Sequence, residues 1–188
     1  MPDEIITYTT KVINSLYRDV ENIDIYNPFS GLASFKTGIN NSRFIAQEIN
    51  QTTSMLSYLR LSAYGVNNYS LFSGDSIKRW NPCDEKYDVI ISNPPYINNI
   101  DYNNLDVGVK GYEPKMALNG GIDGLRIIEK VIKKSRLNLK NNGLLAIEIG
   151  FGQSIKVKKI LRENGFYILK TVKDLQSISR CLIAKKIR

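Results

Sequence analysis

Tyr87-Asp88-Val89-Ile90-Ile91-Ser92-Asn93-Pro94-Pro95-Tyr96 decides the fold. Tyr87–Ser92 is a strongly apolar strand closed by Asn93. The two prolines that follow each fix φ near −65° and remove a backbone N–H, so the chain leaves the strand as a stiff loop that presents carbonyl acceptors. Working outward, strand-like and helix-like stretches alternate on both sides of this run. That alternation predicts βα units and a parallel sheet with helices on both faces.

Upstream, a helix is expected from Pro2-Asp3-Glu4, with proline and acids in its first turn, to Leu16. Strands follow at Ile23–Tyr26, Phe44–Gln47 and Tyr69–Phe72, with a short helix after Asn27-Pro28-Phe29-Ser30-Gly31 and a longer one through Met55 to Ala63. Downstream, a polar loop leads to Gly124–Leu139, where Leu125, Ile128, Val131 and Ile132 recur at the spacing of one helix face. Gly143–Ile149 reads as a fifth strand, followed by a helix to Glu163. Phe166–Val172 and Cys181–Ala184 are expected to pair as an antiparallel hairpin at the sheet edge.

At 188 residues and 43% hydrophobic, the chain suits one globular domain. Its apolar runs are far shorter than the roughly 20 residues that cross a bilayer, and Met1-Pro2-Asp3-Glu4 does not begin a secretory signal. A cytoplasmic protein with no membrane association is expected. The complete absence of histidine removes the commonest general base, the commonest metal ligand and every Ser-His or Cys-His nucleophile. No metal is expected. Cys83 and Cys181 lack Cys-x-x-Cys spacing and read as structural thiols. The net charge of +8 permits nucleic acid or an acidic protein as partner. Much of it lies at Lys130, Lys133, Lys134, Arg136 and Lys140 and at Lys156, Lys158, Lys159 and Arg162, read here as solvated helix faces.

In an open α/β sheet, ligands bind beyond the carboxyl ends of the strands. The first four strands end at Asn27, Glu48, Asp75 and Asn93, four polar residues in succession. The Asn93 side-chain oxygen and the Pro94 carbonyl are two acceptors that suit both hydrogens of an amide or exocyclic amine. Held so, the nitrogen lone pair points at an electrophile, and the positive charge that develops on nitrogen is stabilised. Pro95 stiffens the loop, and Tyr96 is placed to stack on a planar group. Glu48 suits a ribose diol, Asp75 an adenine amino group, and Phe29-Ser30-Gly31 a close backbone approach.

From Tyr87 onward the chain resembles the HemK/PrmC release-factor glutamine methyltransferases. The matching pieces are Asp88 to Ile97, Gly111-Tyr112-Glu113-Pro114-Lys115-Met116-Ala117-Leu118, Gly120-Gly121-Ile122-Asp123-Gly124-Leu125, Glu148-Ile149-Gly150 with Gln153, and Lys173-Asp174-Leu175 with Arg180. About half the chain is covered. The resemblance implies a class I, Rossmann-like methyltransferase fold, a doubly wound, mostly parallel sheet with an antiparallel C-terminal edge hairpin. It also implies S-adenosylmethionine as cofactor and a release-factor Gly-Gly-Gln glutamine as substrate. Asn93, Pro94, Pro95 and Tyr96 are then catalytic; Asn27, Phe29, Gly31, Glu48, Asp75 and Asn93 hold cofactor; Tyr96, Glu113 and Pro114 meet substrate.

Residues 1–80 look closer to type I restriction–modification adenine methylases, through Tyr26-Asn27-Pro28-Phe29-Ser30-Gly31 and Gln47-Glu48-Ile49-Asn50-Gln51-Thr52. The usual glutamine-methyltransferase loop reads Asp-x-Gly-x-Gly-x-Gly, whereas here Asn27 replaces the acid and the later glycines are missing. This implies adenine-N6 methylation of DNA as the alternative, and a non-catalytic subunit with the same fold as a third. One domain is expected over 1–188, with a leading helix in 1–20, a cofactor-binding half over 21–80 and a substrate-side half over 87–188.

Overall fold

The computed structural model describes residues 3–35, 39, 42–106, 108 and 115–187. Helix α1 (Asp3–Leu16) precedes β1 (Ile23–Asn27), β2 (Ser42–Glu48), α2 (Gln51–Ala63), β3 (Tyr69–Ser73) and β4 (Tyr87–Ser92). Then come β5 (Ile97–Asn98), α3 (Asn99–Asn104), α4 (Lys115–Leu118), β6 (Asn119–Gly121), α5 (Arg126–Asn138), β7 (Leu139–Glu148), α6 (Ser154–Glu163), β8 (Phe166–Lys173) and β9 (Ser179–Lys186). Seven strands form one sheet in the order β3-β2-β1-β4-β7-β9-β8. The pairs from β3 to β7 are parallel, and β9 runs antiparallel to both β7 and β8. The predicted hairpin is therefore present, with β9 inserted between β7 and the edge strand β8.

Strands β1 and β4 are neighbours, with Ile25 opposite Val89 and Tyr26 opposite Ile90. Strand order reverses there, so Asn27 and Asn93 lie at the switch point, where open sheets bind ligands. β4 is buried on both faces. On one side Tyr87 and Ile90 meet Ile127, Ile128, Val131 and Ile132 of α5 and Val157 and Leu161 of α6. On the other, Val89 and Ile91 share a cluster with Ile5 and Ile13 of α1 and Leu61 of α2. Tyr26 stacks on Tyr87 with ring centroids 4.7 Å apart, and its hydroxyl donates to Gln47 Oε1 at 2.7 Å. Burial raises both phenols well above their usual range.

On the lysine-rich helices Lys133 meets Glu129 at 2.7 Å on an exposed face and Lys159 lies 3.8 Å from Glu163, but Lys140, expected on a helix face, lies in β7 and pairs with Asp24 at 3.0 Å and Asp88 at 2.8 Å. Lys134 instead folds back to donate to Ser76 O at 2.9 Å, with its ammonium over the Trp80 ring. Among the described residues, no helix is long and apolar enough to cross a membrane.

Several local expectations need correction. The polar loop after Tyr96 contains a two-stranded parallel ribbon, Ile97 opposite Asn119 and Asn98 opposite Gly121, and the short helix α3, whose first turn is capped by Asn98. β7 begins four residues earlier than predicted, at Leu139, and α2 begins at Gln51, where the Asn50 side chain caps Thr53 N at 3.0 Å. Cys181 is fully buried beside Thr9, but Cys83 is exposed on the β3–β4 connection, 3.2 Å from an Arg79 guanidinium nitrogen, so it is not a core thiol. Pro2 lies outside the described residues.

Candidate active site

The four predicted strand ends lie along the carboxyl edge of the sheet. Asn27 is 2% exposed, and its Oδ1 accepts from Phe29 N at 3.2 Å, which turns the chain sharply out of β1. Gly31 follows with φ +50°, and a Cβ built there would meet nothing within 4 Å, so open space faces this backbone. Glu48 Oε2 accepts from Gly31 N at 3.0 Å and Oε1 from Asn50 N at 2.9 Å. Each oxygen keeps a second acceptor direction. The same loop is held by Ser57 Oγ donating to Gly31 O and by the buried Ser76 Oγ donating to Pro28 O. Asp75 has one oxygen committed to its own turn, accepting from Ile77 N at 2.8 Å, while the other lies 3.8 Å from the Lys78 ammonium.

On the β4 side, Asn93 is half-buried, Pro94 and Pro95 are buried, and Tyr96 is half-buried. Tyr96 is fixed at both ends. Its hydroxyl donates to Glu148 Oε1 at 3.1 Å, and its carbonyl accepts from Gln153 Nε2 at 3.0 Å. Gln153 Oε1 in turn accepts from Gly150 N at 2.8 Å. Glu148 is 2% exposed, and this burial raises its carboxyl above the usual range against the opposing effects of Tyr96 and Arg180. A cleft of about 420 Å³ opens here between Tyr96, Glu148, the Asp174–Gln176 turn, Arg180 and Glu4. Arg180 Nε donates to Asp174 Oδ2 at 2.9 Å, and this guanidinium, with two backbone amides, holds the Asp174 carboxyl below the usual range. A hollow of similar size between α2 and β3 is lined by Met55, Tyr58 and Leu71 and lies away from the Asn93 loop.

The fold thus brings together two groups of sequence-predicted residues: Asn27, Phe29, Gly31, Glu48 and Asp75 around β1 to β3, and Asn93 to Tyr96 at β4. Glu113 and Pro114 lie outside the described residues. Sequence reasoning assigned no role to Glu148, Gln153, Asp174 or Arg180. Their partners lie on other elements, and the only signal in the sequence was their place in the resemblance. Among the described residues, no group of three or more His, Cys, Asp or Glu side chains is placed to hold a metal ion.

No protein-family model matches the chain. The release factor glutamine methyltransferase of Fusobacterium nucleatum is 35% identical over 175 residues, which cover 91% of this chain and 49% of that protein. That of Thermodesulfovibrio yellowstonii is 34% identical over 160 residues, 84% of this chain and 56% of the relative. The chain resembles release factor glutamine methyltransferases. It spans about half the length of these curated relatives. The similarity extends well into the first half, so the predicted kinship of residues 1–80 with restriction–modification subunits finds no support. A protein from Listeria monocytogenes described as a class I S-adenosylmethionine-dependent methyltransferase has the same fold, with a TM-score of 0.70 and 16% identity over 100% of this chain and 60% of its own. The expected class I fold is therefore correct.

Proposed function

We propose that this chain is an S-adenosylmethionine-dependent N-methyltransferase whose substrate is the glutamine amide of a peptide chain release factor. The observation that carries the proposal is the position of Asn93-Pro94-Pro95-Tyr96 at the carboxyl end of β4, beside the switch point formed with β1. The relatives' names support the substrate class.

The loops after β1 and β2 fit the cofactor. Open space in front of Gly31 admits its chain to the backbone, with Asn27 shaping the turn and Phe29 as an apolar wall, and Glu48 has acceptor capacity left for the ribose hydroxyls. Asp75 is assigned to the adenine side. When bound, the cofactor supplies a methyl group on a sulfonium. Asn93, at the carboxyl end of β4, would border both ligands. Its Oδ1 and the Pro94 carbonyl would accept the two amide hydrogens and aim the nitrogen at the methyl group, both hydrogen bonds would strengthen as charge develops on nitrogen, and the proton that nitrogen must then lose would leave to water along one of them. Tyr96 flanks the planar amide from a fixed position. Glu113 and Pro114 are assigned to the substrate side through the resemblance. A release-factor substrate fits a cytoplasmic protein.

The test is transfer of labelled methyl from the cofactor to a release factor and, in parallel, to adenine-containing DNA. Label in the release factor, reduced at least about 10²-fold in Asn93→Ala, is expected. Label in DNA alone would overturn the substrate assignment, and undiminished transfer by Asn93→Ala would overturn the mechanism. No cofactor binding by calorimetry would support the non-catalytic alternative.

A further inference from the structure

Two residues of the Asn93 loop are prolines, so the loop cannot be tied down through their amides and must be held through carbonyls and side chains. The Tyr96 carbonyl is one such acceptor, and its donor is Gln153. We propose that Gln153 is a positioning residue, which sets the loop that carries Asn93 and Tyr96 at its reacting geometry. This rests on the methyl-transfer reading of that loop given above.

Gln153 immediately precedes α6 in a helical backbone conformation, and its side chain makes no capping bond to that helix. The amide spans two segments instead, Oε1 to Gly150 N at 2.8 Å and Nε2 to Tyr96 O at 3.0 Å. Both partners have fixed polarity, an N–H and a carbonyl, so only one orientation of the amide satisfies them. A carboxylate would keep the first contact and turn an anion toward the second carbonyl.

The junction also constrains its neighbours. A Cβ on Gly124 would fall 2.2 Å from Tyr96 O and 2.6 Å from Gln153 Nε2, and one on Gly150 would fall 3.0 Å from both Gln153 Oε1 and Tyr96 Cδ2. Three segments therefore converge on the Gln153 amide: the Asn93–Tyr96 loop, the connection from β6 to α5, and the connection from β7 to α6. Tyr96 is also held by its hydroxyl on Glu148, at the far end of a rotatable ring. Loss of Gln153 removes this hold on the Tyr96 carbonyl while leaving the loops after β1 to β3 untouched.

The experiment compares wild type with Gln153→Ala and Gln153→Glu in three measurements: methyl transfer to a release factor, S-adenosylmethionine Kd by calorimetry, and ¹⁹F NMR of protein carrying 3-fluorotyrosine, with the Tyr96 resonance assigned from Tyr96→Phe. Both variants are expected to lose about 10²-fold in kcat, the scale set by misplacing reacting groups by about 1 Å. The cofactor Kd should be unchanged, and the Tyr96 resonance should shift and broaden. Unchanged kcat with an unmoved resonance would overturn the proposal, as would a kcat loss matched by loss of cofactor binding, which marks a general structural role. If wild type labels no release factor but the Tyr96 resonance moves in both variants, the substrate assignment fails and the positioning role of Gln153 stands.

Discussion

Gly124→Ala is the most informative perturbation because the structure separates its two costs. Gly124 has φ +73°, where an L residue is disfavoured by about 1–2 kcal/mol. The added Cβ would also sit 2.2 Å from Tyr96 O, and ordinary van der Waals contact begins near 3.4 Å, so the two must separate by about 1.2 Å. Tyr96 O is backbone, so the loop itself must move. Overpacking of this kind adds about 1–3 kcal/mol, for a total loss of about 2–5 kcal/mol from a domain of ordinary stability. Gly65→Ala supplies the control. Gly65 has φ +64° and open space where its Cβ would go, so it should show the strain alone. Urea unfolding of both variants should give the smaller loss for Gly65→Ala, with full methyl transfer at 20 °C. Gly124→Ala should remain folded at that temperature and bind cofactor, yet lose about 10²-fold in turnover, because the displaced loop carries Asn93. Equal stability losses in the two variants, or full turnover by a folded Gly124→Ala, would refute the steric reasoning.

Two further outcomes concern ionisable groups. Glu148 has its carboxyl raised by burial, so the folded state favours the protonated form, and the group's contribution to stability is lost as pH rises through the folded pKa. Glu148→Gln, which retains an acceptor for Tyr96, should therefore gain stability relative to wild type as pH rises above the usual carboxylate range. Chemical denaturation from pH 4 to 8 checks this, and a pH-independent difference would contradict it. Asp24 behaves oppositely. Burial would raise its pKa, but hydrogen bonds from Arg43 at 2.8 Å and Lys140 at 3.0 Å prevail and hold it low, so its stabilising effect is present above the unfolded pKa and lost in acid. Asp24→Asn should cost about 1 kcal/mol or less at pH 7, and chemical denaturation should show that cost shrinking as pH falls below the usual carboxylate range.

The legible parts of the fold were those whose signal is local. β4 showed itself as an apolar run stopped by prolines, and α5 through the spacing of Ile128, Val131 and Ile132. The β5–β6 ribbon escaped because strands of two and three residues carry no periodicity, and the start of β7 escaped because Lys140-Asn141-Asn142 resembles a turn. In the structure Asn142 does adopt φ +63°, but β7 runs through it, with Leu139 opposite Tyr87 ahead of a register shift. The shared edge of the candidate site was legible for a related reason: a parallel sheet places successive strand ends on one side. The contacts of Tyr96 with Glu148 and Gln153 span 52 and 57 residues, and nothing local in the sequence announces them.

The loop after β1 was the weakest part of the sequence case, because it lacks the glycines and the leading acid of the usual pattern. Its geometry explains how it manages without them. Asn27 is buried, and its Oδ1 supplies the acceptor that turns the chain at Phe29, so an amide does this work without burying a charge. Backbone groups facing the protein are taken by neighbours rather than left to a flexible loop: Ser30 N donates to Gln47 O at 3.1 Å, Gly31 N to Glu48, and Ser57 and Ser76 donate to the carbonyls of Gly31 and Pro28. Gly31 faces open space, and there a side chain would stand where the proposed cofactor approaches. Two residues on, Ala33 also has positive φ, at +53°, which disfavours any residue with a Cβ. Its methyl is fully buried in the cluster with Ile5, Phe35 and Phe44, so packing offsets part of that strain. Glycine is thus needed where the backbone must be approached, and hydrogen bonds from β2, α2 and the β3–β4 connection hold Pro28 to Gly31 in shape.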